Sequence, residues 1–178
     1  MSLTLNQVVQ NLSNIASAHN QIKHFYFGEL YDFAASGTTE YPAMVVSLEP
    51  TPFQTNVLIY SFNVYIIDLV HKGISNSTEV LSDTLQTCTD ITSIVSNPVY
   101  SWSSERNQLF NDIQGGLDDG EYGFWFNLKL RVARPIDRCQ VPTIGVIDVI
   151  VPAENITNNL LAEDGTILQT NDGFNIIL

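Results

Sequence analysis

Two long runs of alternating residues constrain the fold of this chain more than any other feature. The first is Val57–Val70 and the second is Tyr122–Ala133. Successive side chains of a strand point to opposite faces, so each run places a continuous apolar set on one side. The other side of the first run carries Ile59, Tyr65 and Ile67 beside Ser61 and Asn63, and we expect it to be partly covered. A slip of one residue would bury the charges of the second run instead. The predicted core positions are Leu58, Tyr60, Phe62, Val64 and Ile66, with Tyr122, Phe124, Phe126, Leu128, Leu130 and Val132.

Two segments have the three- and four-residue spacing of amphipathic helices. The first begins near Leu5, where Thr4 or Ser2 is placed to cap it. The second follows Asn76, which we expect to form a capping box with Glu79, and it ends before Pro98. The predicted apolar stripes are Leu5, Val8, Val9, Leu12, Ile15 and Ala16 in the first helix, and Leu81, Leu85, Cys88, Ile91 and Val95 in the second.

Shorter runs complete the predicted fold. Phe25–Phe33 has a strand-like pattern interrupted by a glycine, and Tyr41–Pro50 is a strand bounded by prolines. Val99–Phe110 is predicted as a third short strand, and Asn111–Gly120 as a turn-rich connection. The expected fold class is α+β: an antiparallel β-sheet with two α-helices packed on one face, plus a C-terminal β-rich arm.

The last part of the chain differs in composition, which predicts a domain over residues 1–140 and an extended β arm over residues 141–178. Two Asp-Gly pairs, Asp164-Gly165 and Asp172-Gly173, predict tight turns between short strands. We expect Asn155–Leu178 to be an assembly arm that adds strands to another subunit. Its apolar residues include Leu160, Leu161, Ile167, Leu168, Phe174, Ile176 and Ile177.

The charge balance is strongly acidic, with 7 Lys and Arg against 19 Asp and Glu and a formal net charge of -12. This excludes non-specific binding to nucleic acid by charge alone, because that mode needs cations that replace counterions. Four of the basic residues, Lys129, Arg131, Arg134 and Arg138, fall within ten positions. They form either a solvated, salt-bridged face or a patch that meets an acidic surface on a neighbouring copy.

Motifs for catalysis or cofactor binding are absent from the sequence, so we expect no enzyme, no cofactor and no metal site. The histidines His19, His24 and His71 lie far apart and lack metal-ligand spacing. Cys88 and Cys139 do not form a disulfide scaffold, which favours a reducing compartment. The start has no basic region followed by a long apolar run, so no signal peptide is expected, and no segment is long and apolar enough to span a membrane.

The order of elements resembles structural proteins from the head–tail region of tailed bacteriophages. A first helix is followed by FYFGELYDF, YPAMVVSLEP and FNVYIIDLV, and then by NSTEVLSDTLQTCTDI. This order is similar to tail terminator, tail-completion and neck-ring proteins, above all those of crAss-like phages, over roughly residues 1–140. The arm with its Asp-Gly repeats is similar to short β-repeats at the ends of phage virion proteins and departs from the terminator pattern.

The resemblance implies a non-enzymatic virion protein that assembles in the host cytoplasm. It would form a homo-oligomeric ring in the neck or tail, contact other neck, tail or portal-complex proteins, and surround DNA without binding it specifically. The expected subunit contacts are Lys129, Arg131, Arg134 and Arg138, with Leu161, Ile167, Phe174 and Ile176 of the arm. The alternative is a soluble, monomeric ligand-binding or accessory domain.

Overall fold

The computed structural model describes residues 3–35, 37, 40–70, 76–105, 107–115 and 120–134. The chain divides into two units, residues 1–136 and 137–178, and every described residue belongs to the first. The predicted arm over residues 141–178 lies outside the described residues, so the arm and its boundary stay predictions.

The described residues form three helices and seven strands. The helices are α1 (Leu5–Ala18), α2 (Leu30–Ala35) and α3 (Ser77–Val95). The strands are β1 (His24–Phe27), β2 (Ala43–Glu49), β3 (Phe53–Gln54), β4 (Val57–Leu69), β5 (Ser103–Ser104), β6 (Asn111–Gln114) and β7 (Glu121–Ala133).

All seven strands belong to one sheet, whose main order is β1-β2-β4-β7-β5. β3 pairs with β4 and β6 pairs with β7. The strand pairs are antiparallel except for β1 and β2, which run parallel. The two predicted long strands are the central pair, in register from Val57 opposite Ala133 to Leu69 opposite Glu121. The sheet and its helices confirm the predicted α+β class.

The start of α1 follows directly from its first residues. Thr4 is the N-cap, its side chain accepts a hydrogen bond from the backbone N–H of Gln7, and the Gln7 side chain accepts one from the Thr4 N–H. This capping box satisfies two backbone donors that would otherwise lack a partner. The buried residues of the helix are Val8, Leu12, Ile15 and Ala16, all on the predicted face.

The second long helix, α3, lies where predicted but is rotated relative to the predicted stripe. Its buried residues are Val80, Thr84, Thr87, Cys88, Ile91 and Val95. Leu85 is exposed and Leu81 only half-buried, so their assignment to the core was wrong. Two threonines replace them because each hydroxyl donates to a carbonyl one turn earlier, at 2.7 Å to Val80 and 2.9 Å to Asp83.

The N-terminus of α3 also differs from the prediction. Asn76 is the N-cap residue, but its side chain makes no capping hydrogen bond, so the predicted capping box with Glu79 does not form. The Asn76 Oδ1 atom is buried, and no described residue donates a hydrogen bond to it. Glu79 still lies in the first turn, where the positive end of the helix dipole stabilises a carboxylate.

The main core lies between α1, α3 and one face of the sheet. Phe62, Val64, Phe126 and Leu128 are fully buried there, as the alternation of both strands predicts. Phe110 packs edge-on against Phe126 with ring centroids 5.4 Å apart. Two helices on one face of the sheet therefore match the predicted layers.

The opposite face of the sheet has a smaller core, formed around a short helix that the sequence did not predict. The strand-like run Phe25–Phe33 continues as a strand only to Phe27, and its second half is the short helix α2. Phe33 of α2 is fully buried and packs with Ala43, Val45 and Ile67. Its ring also lies within 6.1 Å of the rings of Tyr26 and Tyr41. The prediction of a strand through Phe33 was therefore wrong after Phe27.

Two connecting segments also depart from prediction. Among the described residues of Val99–Phe110, Ser103–Ser104 pairs with the sheet, whereas Tyr100 and Trp102 pack against the main core. The Trp102 indole N–H donates to the carbonyl of Val95 at 2.9 Å, which holds this segment against the helix. Conversely, the predicted turn-rich segment Asn111–Gly120 contains the strand Asn111–Gln114, which adds to β7.

Candidate subunit interface

The three predicted basic contact residues that the structure describes lie together at one end of the sheet. Lys129 and Arg131 alternate along the C-terminal half of β7 on the face away from α1 and α3, and Arg134 follows the strand. All three are exposed. We call them the basic end. The other predicted contact residues, Arg138, Leu161, Ile167, Phe174 and Ile176, lie outside the described residues.

Arg131 has an acidic neighbour within its own chain. Its Nη2 donates to Glu105 Oε1 at 3.2 Å, and the two side chains are 50% and 41% exposed. β5 places them together, since Ser103 pairs with Arg131 and Glu105 follows two residues later. Sequence reasoning missed this pair because the contact depends on a strand of only two residues.

Lys129 and Arg134 form no salt bridge with any described residue. Lys129 lies across from Ser61, which in turn lies across from Glu49. The Glu49 carboxylate accepts a hydrogen bond from Asn63 at 2.6 Å, so it already has a neutral donor. Arg134 is tethered by its backbone, whose N–H donates to the carbonyl of Asn56 at 2.7 Å. This hydrogen bond holds the backbone of Arg134 in place, while Lys129 and Arg134 both stay exposed.

An open groove lies next to Arg131. Its volume is about 510 Å³, and its walls include Gln54, Thr55, Tyr100 and Trp102. The Tyr100 and Trp102 rings are stacked, with centroids 4.6 Å apart and planes 2° apart. The stacked rings of Tyr100 and Trp102 and the Arg131 side chain thus line the same groove.

A group of carboxylates lies at the opposite end of the sheet. Glu79 and Asp83 are one turn apart near the start of α3, and both are exposed. Asp68, near the end of β4, lines the same cavity of about 200 Å³ as Asp83. Lys23 also lines that cavity, where its Nζ donates to the carbonyl of Asn20 at 3.4 Å. We call Asp68, Glu79 and Asp83 the acidic end.

The basic and acidic ends lie toward opposite ends of the central strands and on opposite faces of the sheet. The register of β4 with β7 places Asp68 across from Tyr122 and Arg131 across from Ile59, near opposite ends of a thirteen-residue strand pair. A strand of that length spans about 40 Å. Asp68 belongs to the helix-packed face by alternation, whereas Arg131 belongs to the other. The basic end and the acidic end therefore lie near opposite ends of the central strand pair.

Apolar side chains remain exposed on the helix-packed face. Phe27 is 41% exposed, Leu48 is 40% exposed and Phe53 is 52% exposed. Register places all three on this face, since they pair with Val46, Phe62 and Leu58.

Three side chains of the described residues, those of Cys88, His19 and Glu121, could take part in chemistry, and each is buried or close to a polar partner. Burial raises the pKa of the Cys88 thiol to about 12, so at neutral pH it is a packed thiol and not a nucleophile. His19 Nε2 lies 3.4 Å from Asp90 Oδ2 on the surface between α1 and α3. Glu121 is 1% exposed and accepts a hydrogen bond from the Tyr41 hydroxyl at 2.9 Å.

No group of three His, Cys, Asp or Glu side chains is placed to hold a metal ion within the described ranges. Among the helices of the described part of the chain, none is both long and apolar enough to cross a membrane.

Comparison of the sequence with protein-family models finds no match, and comparison with curated proteins finds none either.

Proposed function

We propose that this protein is a structural component of a tailed-phage virion that forms a homo-oligomeric ring around the DNA channel, at the head–tail junction or in the tail. The observation that supports this proposal best is the grouping of Lys129, Arg131 and Arg134 at one end of a unit whose whole chain has a net charge of -12. Cations grouped in an acidic protein provide a surface complementary to other copies of that protein.

The acidity of the chain also fits a DNA channel. A lumen with an excess of carboxylates repels phosphates, so DNA passes without sticking, which is the opposite of binding by counterion release. In such a ring, the cations are used between subunits and the carboxylates remain for the lumen. The resemblance of residues 1–140 to terminator and neck-ring proteins supports the same assignment.

Exposed apolar side chains provide a second reason for subunit contacts. Phe27, Leu48 and Phe53 each keep about two fifths or more of their surface in water. Scattered apolar residues are ordinary on protein surfaces, but these three share one face of one sheet. Burying them against another copy or a neck partner contributes about 25 cal/mol for each Å² of apolar surface.

The experiment is sizing of the purified full chain by light scattering, from about 5 μM to about 500 μM and at low and physiological salt, followed by negative-stain electron microscopy. The proposal predicts closed rings of a fixed copy number. The alternative, a monomeric ligand-binding or accessory domain, predicts the mass of one 19.8 kDa chain at every concentration. A monomer throughout the series overturns the proposed self-assembly.

A further inference from the structure

We propose that an uncharged face, formed by α1 and the C-terminal part of α3, is a two-fold contact between two copies of this chain. The contact goes beyond the proposed ring and does not depend on it. Residues 3–22 and 91–104 contain no Asp, Glu, Lys or Arg, although 15% of the whole chain is charged and its net charge is -12. The charges of this chain are therefore unevenly distributed, and both helices contribute to the part that lacks them.

The two uncharged segments meet at a groove of about 360 Å³ between α1 and the end of α3. Apart from His19, the residues that line it are apolar or carry an uncharged polar group: Asn11, Asn14, Ile15, Ala18, Ile94 and Tyr100. Gln10 is exposed beside the groove, where its Nε2 donates to Asn14 Oδ1 at 3.1 Å. We call Gln10 and the lining residues the neutral face.

A carboxylate approaches the neutral face at His19. Asp90 Oδ2 lies 3.4 Å from Nε2 of His19, and the two side chains are 42% and 12% exposed. Asp90 is the residue that precedes the uncharged segment of α3. The arrangement is that of an interface with a neutral centre and a polar rim.

The lack of charge indicates which partner fits this face. The centres of protein–protein interfaces are depleted of charged residues. Two copies with a net charge of -12 repel each other wherever their carboxylates meet, whereas the neutral face lets them approach without placing charge against charge. A basic partner would gain more at a surface that carries carboxylates. The occupant that fits is therefore a second copy of this acidic chain.

The size of the neutral face sets the expected strength of the contact. The fourteen residues of α1 span about 21 Å, and packed helices have axes about 8–10 Å apart. The face is therefore roughly 20 Å by 20 Å on each copy, which is small beside the about 800 Å² per partner that stable interfaces bury. We expect a concentration-dependent dimer with a dissociation constant of about 10–100 μM.

The symmetry follows from the use of one face by both copies. A contact of a patch with the same patch is two-fold and closes at two copies. If the chain also forms rings, this contact joins two rings into a double ring with dihedral symmetry.

Added charge on the face tests the contact. Gln10→Glu with Asn14→Glu places two carboxylates one turn apart on each copy, and like charges across an interface cost several kcal/mol. We expect dimerisation at least about tenfold weaker than in the unmodified chain. The matched control is Tyr31→Glu with Ala35→Glu, which adds the same charge with the same spacing to exposed positions of α2, on the opposite face of the sheet. The control should dimerise within about twofold of the unmodified chain.

A second variant pair separates a local effect from a change in net charge. Gln10→Lys with Asn14→Lys should also dimerise poorly by itself, since its lysines face each other across the two-fold axis. An equimolar mixture of the Glu and Lys variants should form heterodimers, because the contact then joins opposite charges. Thermal unfolding checks that every variant is folded.

Sedimentation velocity from about 5 μM to about 500 μM measures the association. The dimer of the unmodified chain should strengthen between about 50 mM and 500 mM salt, because salt screens the repulsion between two acidic copies and the face itself carries no charge to screen. A contact made by the basic residues should weaken over the same range.

The outcomes separate this inference from the proposed ring. Weaker dimers of the Glu variant, an unchanged control and heterodimers in the mixture support the neutral face as the contact. If the Glu variant and the unmodified chain dimerise equally well, or if the unmodified chain stays monomeric at high salt and about 500 μM, the inference is overturned. Dimers without rings leave this contact standing and overturn the ring, whereas single rings unaffected by the Glu substitutions do the reverse.

Discussion

The Arg131 guanidinium lies 3.2 Å from the Glu105 carboxylate, although the two residues are 26 positions apart in the sequence. Both side chains are about half exposed, and exposed pairs of this kind contribute only about 0–1 kcal/mol to stability. The salt bridge is therefore weak enough for Arg131 to exchange Glu105 for another carboxylate. In the proposed ring, a carboxylate of a neighbouring copy would compete with Glu105 for the Arg131 guanidinium.

The first prediction concerns this competition. Glu105→Gln removes the intramolecular carboxylate while keeping its size, so Arg131 becomes fully available to another copy. We expect tighter association, by about threefold to tenfold, with a change in unfolding free energy below about 1 kcal/mol. Sedimentation velocity and chemical denaturation measure the two effects. Glu29→Gln, a substitution that removes the same charge in the segment before α2, is the control.

If Glu105→Gln weakens association, Glu105 itself contacts the neighbour and the assignment of Arg131 as the trans partner is wrong. Equal association of Glu105→Gln and Glu29→Gln would show that Arg131 stays solvated in the assembly.

The second prediction concerns the core. Phe126 is fully buried between the sheet and the helices, and its ring packs edge-on with Phe110. Phe126→Ala should cost about 3–5 kcal/mol, because it removes the transfer free energy of the ring and leaves a cavity. The matched control is Phe53→Ala, at a side chain 52% exposed, with an expected cost below about 1 kcal/mol. Urea denaturation measures both, and similar costs at the two positions would contradict the assignment of the core.

The long strands of the fold were predictable because their pattern extends over many residues. Both β4 and β7 extend over thirteen residues with a strand-like pattern, and a slip of one residue in β7 would bury Lys129 and Arg131. The first helix was equally predictable, since Thr4 and Gln7 form a local capping box. These features depend on residues near one another in sequence.

The errors arose where distant contacts decide the structure. Phe33 has the apolar pattern of a strand, yet it becomes helical because its ring fills the space beside Ile67 and Tyr41. Leu85 was assigned to the core from helical spacing, but the buried face contains Thr84 and Thr87 instead. The hydroxyls of these two threonines donate to backbone carbonyls of their own helix. Of the candidate interface, the clustered cations were visible in the sequence. Glu105 and the polarity between the two ends were not, because they depend on strand pairing.

The third prediction concerns a close approach of the two central strands. A Cβ atom at Gly123 would overlap the carbonyl oxygen of Ile66 in β4. Backbone cannot move aside as a flexible side chain does, so Gly123→Ala must distort the pairing of β7 with β4. We expect a loss of more than about 2 kcal/mol in unfolding free energy, measured by denaturation. A loss under about 0.5 kcal/mol would show that the strands are farther apart at this position.

The fourth prediction concerns pH and the thiol of Cys88. Burial raises its pKa from 9.0 to about 12, so the folded state keeps its proton when the unfolded chain has lost it. This contribution to stability is present below pH 9 and is lost as the pH rises from about 9 to 12. In a Cys139→Ser background, the native protein should react with a thiol reagent at pH 9 at least about 100-fold more slowly than the urea-unfolded chain. Reaction at equal rates would mean that Cys88 is accessible.

The last prediction concerns Asn155–Leu178, which lies outside the described residues. The described core joins α1, α3 and the central strands through residues from Val8 to Val132. Removing residues 155–178 should therefore leave cooperative thermal unfolding, with a shift in Tm of only a few degrees.

The same truncation should weaken the ring, because the apolar residues of the segment are expected to pack on a neighbour's sheet edge. Electron microscopy of the truncated and full chains measures the fraction of closed rings. Amide hydrogen exchange on a full chain held monomeric by the Arg131→Glu and Arg134→Glu substitutions provides the control, since an arm that packs in trans gains protection only on assembly. Strong protection of residues 155–178 in that monomer would mean that the segment packs on its own domain, and rings formed equally well by the truncated chain would remove it from the interface.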